Sequence, residues 1–126
     1  MTKAKGDQRK NTGHFGEKLA VDFLLENKYK VIEKNWRCKL GEVDIIAYDN
    51  DTLVILEVRT RRDTGKFGTP HESINFKKQQ KVRSISQMYL QQKNLQQAKT
   101  RIDVICIILN KTGNTVLSID HIKNAF

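Results

Sequence analysis

The chain has 126 residues, 38% of them hydrophobic, and carries 23 Lys/Arg against 14 Asp/Glu for a formal net charge of +9. That length fits one domain with a single core, and no apolar run approaches the roughly 20 residues that cross a bilayer. The basic N-terminus lacks the apolar segment of a secretory signal, and Cys38 and Cys106 provide neither a disulfide framework nor zinc spacing, as expected of a reduced cytoplasmic protein.

Residues 1–12 are polar and charged without periodicity, and read as a disordered basic arm. The rest, 13–126, reads as a single domain. A helix is expected from Thr12 or Gly13 to about Asn27. Lys18, Asp22 and Glu26 form its polar face, and Phe15, Leu19, Ala20, Val21, Phe23, Leu24 and Leu25 a broad apolar stripe. Glu17 falls roughly 140° from the middle of the polar face at about 100° per residue. An inward carboxylate is costly unless paired or liganded. The plainer account is a first-turn acid favoured by the helix dipole. Tyr29 to Trp36 reads as the first strand, with Val31 and Ile32 at its centre and Trp36 as packing.

Gly41 to Arg62 (GEVDIIAYDNDTLVILEVRTRR) reads as a hairpin. Its strands are Glu42–Tyr48 and Leu53–Arg59, and Asp49-Asn50-Asp51 supplies turn residues that tolerate left-handed backbone. With Asp49 facing Thr52, Val43, Ile45 and Ala47 would face Val58, Leu56 and Val54. On the other face Ile46 would meet Ile55, Asp44 would meet Glu57, and Glu42 would meet Arg59. Both faces are largely apolar, so the hairpin should be interior. Opposed carboxylates there lie about 4.5–5.5 Å apart at Cβ and need a shared proton or a cation. Mg²⁺ suits such a pair, since it binds through one or two carboxylates plus water and substrate phosphate. The bland account is a hairpin end reaching solvent, with Glu42–Arg59 as an ordinary ion pair.

Residues 62–72, with Gly65, Gly68 and Pro70, read as a loop following the strand. A second helix is expected from His71 or Glu72 to near Lys93, burying Ile74, Val82, Ile85, Met88 and Tyr89. Lys77, Lys78, Lys81 and Arg83 crowd its first half. Such a cluster is usually a solvated face, but here it lacks compensating acids. Arg101 to Leu109 reads as an interior strand, with Asp103 at its start placed to pair with Arg101 or another cation at the site's edge, and Cys106 as core. Lys111-Thr112-Gly113-Asn114 forms a turn, Thr115–Ile119 a last strand, and His121–Phe126 a short helix or tail. Charge is uneven: residues 41–70 hold four Lys/Arg and six Asp/Glu, whereas 71–100 hold six and one. An acidic pocket within a basic surface suits a polyanion held by cations around a carboxylate-bound metal.

Asp44 followed by Glu57-Val58-Arg59 resembles the PD-(D/E)XK nuclease signature. GEKLA at 16–20, GEVDIIA, EVRTRR, FGTP at 67–70, RIDVI at 101–105 and the closing HIKNAF together resemble the YraN-type family of small bacterial proteins. That family is described as Holliday-junction-resolvase-like endonucleases. The resemblance implies an α/β restriction-endonuclease-like core, a central mixed five-stranded sheet flanked by helices. It also implies Mg²⁺ or Mn²⁺ at Asp44 and Glu57, supported by Glu17, with DNA as partner and a homodimer to cut paired strands. Arg59 stands where the signature has Lys. Arg supplies charge and a bidentate phosphate grip but no neutral base. Arg61, Arg62, Lys77, Lys78 and Lys81 are the expected backbone contacts. No phosphate-binding glycine loop is present, so no nucleotide cofactor is expected. The alternative reading is a nuclease-fold protein that binds nucleic acid without cutting it.

Overall fold

The computed structural model describes residues 5–63 and 75–126, with the side chains of the first helix described from Thr12 onward. The elements run α1 (Lys5–Glu26), β1 (Lys30–Cys38), β2 (Gly41–Asp49), β3 (Thr52–Arg62), α2 (Phe76–Gln92), β4 (Thr100–Leu109) and β5 (Val116–Ile122). The strands form one five-stranded sheet in sequence order. β3 and β4 are parallel and every other neighbour is antiparallel, so the sheet is mixed as expected. The parallel step is where α2 crosses over, since parallel neighbours need a long connection.

The two helices cover opposite faces. Ala20 and Leu24 of α1 pack with Ile45, Ala47, Val54, Leu56, Ile105, Ile107 and Leu109. Val82, Ile85, Tyr89 and Leu90 of α2 pack with Val43, Ile46, Leu53 and Ile55. Strand alternation feeds both layers: even-numbered residues of β3 face α1 and odd-numbered ones face α2. Trp36 packs edge-on to Tyr89 with centroids 5.1 Å apart, which is the packing role read from the sequence. No described helix is long and apolar enough to cross a membrane.

Several boundaries differ from expectation. α1 begins at Lys5, so residues 5–12 of the expected arm have helical backbone. Lys, Gln and Arg are good helix formers, and extending an existing helix avoids the cost of nucleation. Leu25, placed on the apolar stripe, is instead 54% exposed. α2 starts at an Asn75 N-cap whose side chain accepts from the Lys78 N–H, so the helix does not run through from His71 or Glu72. Ile74 and residues 64–72 of the expected loop lie outside the described residues. β5 reaches Ile122, so His121 belongs to a strand and pairs with Ile105.

Candidate active site

The hairpin turn sets the register. Asn50 adopts φ 55°, the left-handed conformation its side chain tolerates, and Asp49 faces Thr52. The ladder then runs through Tyr48↔Leu53, Ala47↔Val54 and Ile46↔Ile55 to Ile45↔Leu56, as expected. There it stops. The Val58 N–H, which points at β2, donates to Asp44 Oδ2 at 2.7 Å instead of to a ladder carbonyl. The side chain of one strand thus caps the backbone of the other where the two part.

Two expectations fail beyond that point. Val43 lies in the α2-side cluster rather than beside Ile45 and Ala47, because alternation breaks at Asp44. Glu42 does not meet Arg59. It pairs with Arg37 Nε at 2.6 Å, across the β1–β2 ladder.

The parting strands leave Asp44 beside both other acids. Glu57 is only 5% exposed, and its Oε1 has no hydrogen-bond partner. Burial, then the charge of Asp44 and a hydrogen bond to it, push the Glu57 carboxyl up to about 8, while Lys78 and Arg59 pull the other way. This is the shared-proton-or-cation condition expected of the pair. Arg59 lies on the same side of β3, and its Nε is likewise buried without a partner. Glu17 sits across the fork on α1. Partial burial, then Asp44, raise its carboxyl above the ordinary value, opposed by His14 and Asn35. A cleft of about 370 Å³ opens here, lined by His14, Glu17, Lys34, Asn35 and Asp44 among others.

Gly16 is what lets α1 reach this position. It is buried, and a Cβ there would overlap the Thr60 hydroxyl, so helix and strand meet at a distance only glycine permits.

The remaining expected contacts divide between the two faces of the sheet: Lys77, Lys78, Lys81 and Arg61 go with the α2 face and Arg62 with the other. Lys78 is near enough to act on Glu57. Lys81 lies over Gly41 at the start of β2, and Lys77 is exposed in the first turn of α2. Arg61 lies two residues beyond Arg59 on the same strand face, while the Arg62 guanidinium lies against Gly113 in the β4–β5 turn.

The residues fit a cation in one respect and limit it in another. A buried carboxylate with an orphaned oxygen beside a second carboxylate is a donor set for a hard divalent ion. Among the described residues, no three His, Cys, Asp or Glu converge closely enough to enclose one. Asp44 and Glu57 would therefore be the protein ligands and water the remainder, with Glu17 outside the first coordination sphere. Sequence reading assigned no site role to Asn35, although an Asn at the centre of a strand is an unfavourable β-former and signals a special backbone position.

A second polar cluster lies at the other end of α1. Asp103, fully buried, accepts from Arg101 Nε at 3.0 and 3.1 Å and from the Asn124 N–H at 2.9 Å, and lies 2.8 Å from His121 Nε2. Arg101 continues to Asp49 at 2.9 Å and to the Tyr29 hydroxyl at 2.7 Å. The Arg101–Asp103 pair was expected. His121 and Tyr29 were not, since they come from distant parts of the chain.

The model of uncharacterised protein family UPF0102 matches residues 16–107. A UPF0102 protein of Caldanaerobacter subterraneus is 42% identical over 118 residues, which cover 94% of this chain and 96% of the relative. One from Caldicellulosiruptor bescii is 44% identical over 119 residues, 93% and 98% of the two chains. One from Clostridium botulinum is 46% identical over 118 residues, 93% and 94%.

Proposed function

The chain belongs to the UPF0102 family, the YraN-type family that its motifs resemble, and we propose that it is a metal-dependent endonuclease hydrolysing DNA phosphodiester bonds, on branched substrates. The observation that carries this reading is the pair of buried Glu57 and half-buried Asp44 at the parting of β2 and β3, with Arg59 beside it.

Asp44 and Glu57 would hold Mg²⁺ or Mn²⁺. When bound, such an ion lowers the pKa of water and offsets charge on phosphate. Asp44 also fixes Val58 through its N–H, which anchors the strand segment carrying Glu57 and Arg59. Arg59 donates to the phosphate and stabilises the charge that grows there in the transition state, as an aimed donor in a dry site does. Glu17 orients water from the α1 side. Lys77, Lys78, Lys81, Arg61 and Arg62 hold the nucleic-acid backbone. Two copies of the site, and hence a homodimer, would be needed to cut paired strands.

A second reading, binding without cleavage, is favoured by Arg at the Lys position of the signature and by the lack of a third converging ligand among the described residues. The deciding experiment is Mg²⁺- or Mn²⁺-dependent cleavage of labelled four-way-junction, flap, duplex and single-stranded DNA by the wild-type, Asp44→Asn and Glu57→Gln proteins. Metal-dependent cutting lost in both variants is expected. Tight, salt-sensitive binding without cutting by all three would transfer the function to a non-catalytic module.

A further inference from the structure

We propose that Asn35 is the positioning residue of this site: its amide ties the Glu17 carboxylate beside Asp44, and so sets how tightly the site takes a divalent cation. The proposal rests on the metal-dependent reading above. Asn35 lies on β1 between the pairs Lys34↔Ile45 and Trp36↔Val43, which places it across from Asp44. Its φ is 52°, a left-handed residue inside a strand. Asn accepts that conformation more readily than most residues, though at some cost, and such strain persists only where the surroundings enforce it.

The exposed Asn35 side chain lies between two carboxylates. With its nitrogen turned toward them, the amide donates to Glu42 Oε1 at 3.0 Å and to Glu17 Oε2 at 3.2 Å. Both neighbours are acceptors, so this orientation is the one that satisfies the group. The other oxygen of Glu42 is already held by Arg37 Nε at 2.6 Å. A chain of contacts therefore runs from Arg37 through Glu42 and Asn35 to Glu17.

The choice of donor matters. Glu17 and Asp44 are like charges and repel when both are ionised. An Arg or Lys at position 35 would relieve that repulsion but would also compete with a cation. A neutral amide holds the carboxylate and leaves the negative charge available. A carboxylate held just outside the coordination sphere orients the ion's water, and losing such a group costs about 10–100-fold in metal affinity.

The test is Mn²⁺ binding to the metal-free protein by isothermal titration calorimetry. Asn35→Gly keeps left-handed backbone accessible and removes the amide. Asn35→Ser, too short to reach both carboxylates, is measured in parallel against a folding defect in the glycine variant. Each is expected to weaken Mn²⁺ binding about 10-fold or more, with no further loss when combined with Glu17→Gln. Wild-type affinity in a folded Asn35 variant overturns the proposal. So does a full additional loss in the Glu17→Gln background, because Asn35 would then act through something other than Glu17. Wild-type protein that binds no Mn²⁺ overturns the metal-dependent reading itself, and the proposal with it.

Discussion

Glu57 is the residue on which stability and function meet. Its carboxyl is raised from an ordinary 4.5 to about 8 by burial and by Asp44. Between those values the folded protein keeps a proton that the unfolded chain has released. Its contribution to stability is therefore complete below about 4.5 and declines as pH rises toward 8. In chelator, the wild-type melting temperature should fall across this window, by an amount reflecting a few kcal/mol at about 1.4 kcal/mol per pKa unit. Glu57→Gln should flatten the slope, and Mn²⁺ added near the upper end should raise the melting temperature of the wild type alone. Equal slopes in the two proteins would mean that neither burial nor Asp44 raises the Glu57 carboxyl. Asp103 works in the opposite sense. His121, Arg101 and the Asn124 N–H outweigh its burial and hold its carboxyl below the usual range. Asp103→Ala would leave Arg101 and His121 without their buried partner, at a cost of about 3–5 kcal/mol measurable by urea unfolding. A loss below about 1 kcal/mol would place the network among ordinary surface pairs.

At the scale of elements, α1 is held against β3 by the absence of a side chain. Gly16→Ala would drive a methyl into Thr60 and should cost about 1–3 kcal/mol, as overpacking does. Thr60→Ala in the same chain removes the hydroxyl and should recover part of that loss. If the double variant is no more stable than Gly16→Ala alone, the contact with Thr60 is not what limits the approach. The elements also mark where sequence was readable. The β2–β3 register follows from local turn chemistry and two-residue alternation, and it holds from Asp49 to Ile45. The ladder's end was not readable. It depends on the Asp44 side chain capturing the Val58 N–H, a tertiary event with no periodic trace. The same applies to Val43, which alternation assigns to the α1 face and the break at Asp44 returns to the α2 face. The nearness of Asp44 and Glu57 was legible from the pattern, though not as the ladder pair it suggested, since pairing ends at Ile45 and Leu56. The bracing of Glu17 by Asn35 was not, because it joins a helix and a strand through one amide.

For the whole molecule, the governing quantity is how charge is laid over the sheet. A net charge of +9 would bind any polyanion weakly, so the total says little about where nucleic acid sits. Placement says more: β3 alternation puts Glu57, Arg59 and Arg61 on the face that α2 covers, and α2 carries Lys77, Lys78 and Lys81 in its first two turns. Nucleic acid lying along that edge would displace counterions from each phosphate a lysine neutralises. Affinity should then fall steeply between about 50 and 200 mM salt. Lys77→Ala and Lys81→Ala should each lower the slope of log affinity against log salt by about one, across sequences alike. Asp44→Asn should strengthen metal-free binding, because one repelling charge leaves the path of the phosphates. Fluorescence anisotropy over a salt series measures all three. A slope unchanged by both lysine substitutions would move the contact surface off α2. With Asp44→Asn still tightening binding, the α1-side cleft around His14, Lys18 and Lys34 would become the place where the strand enters.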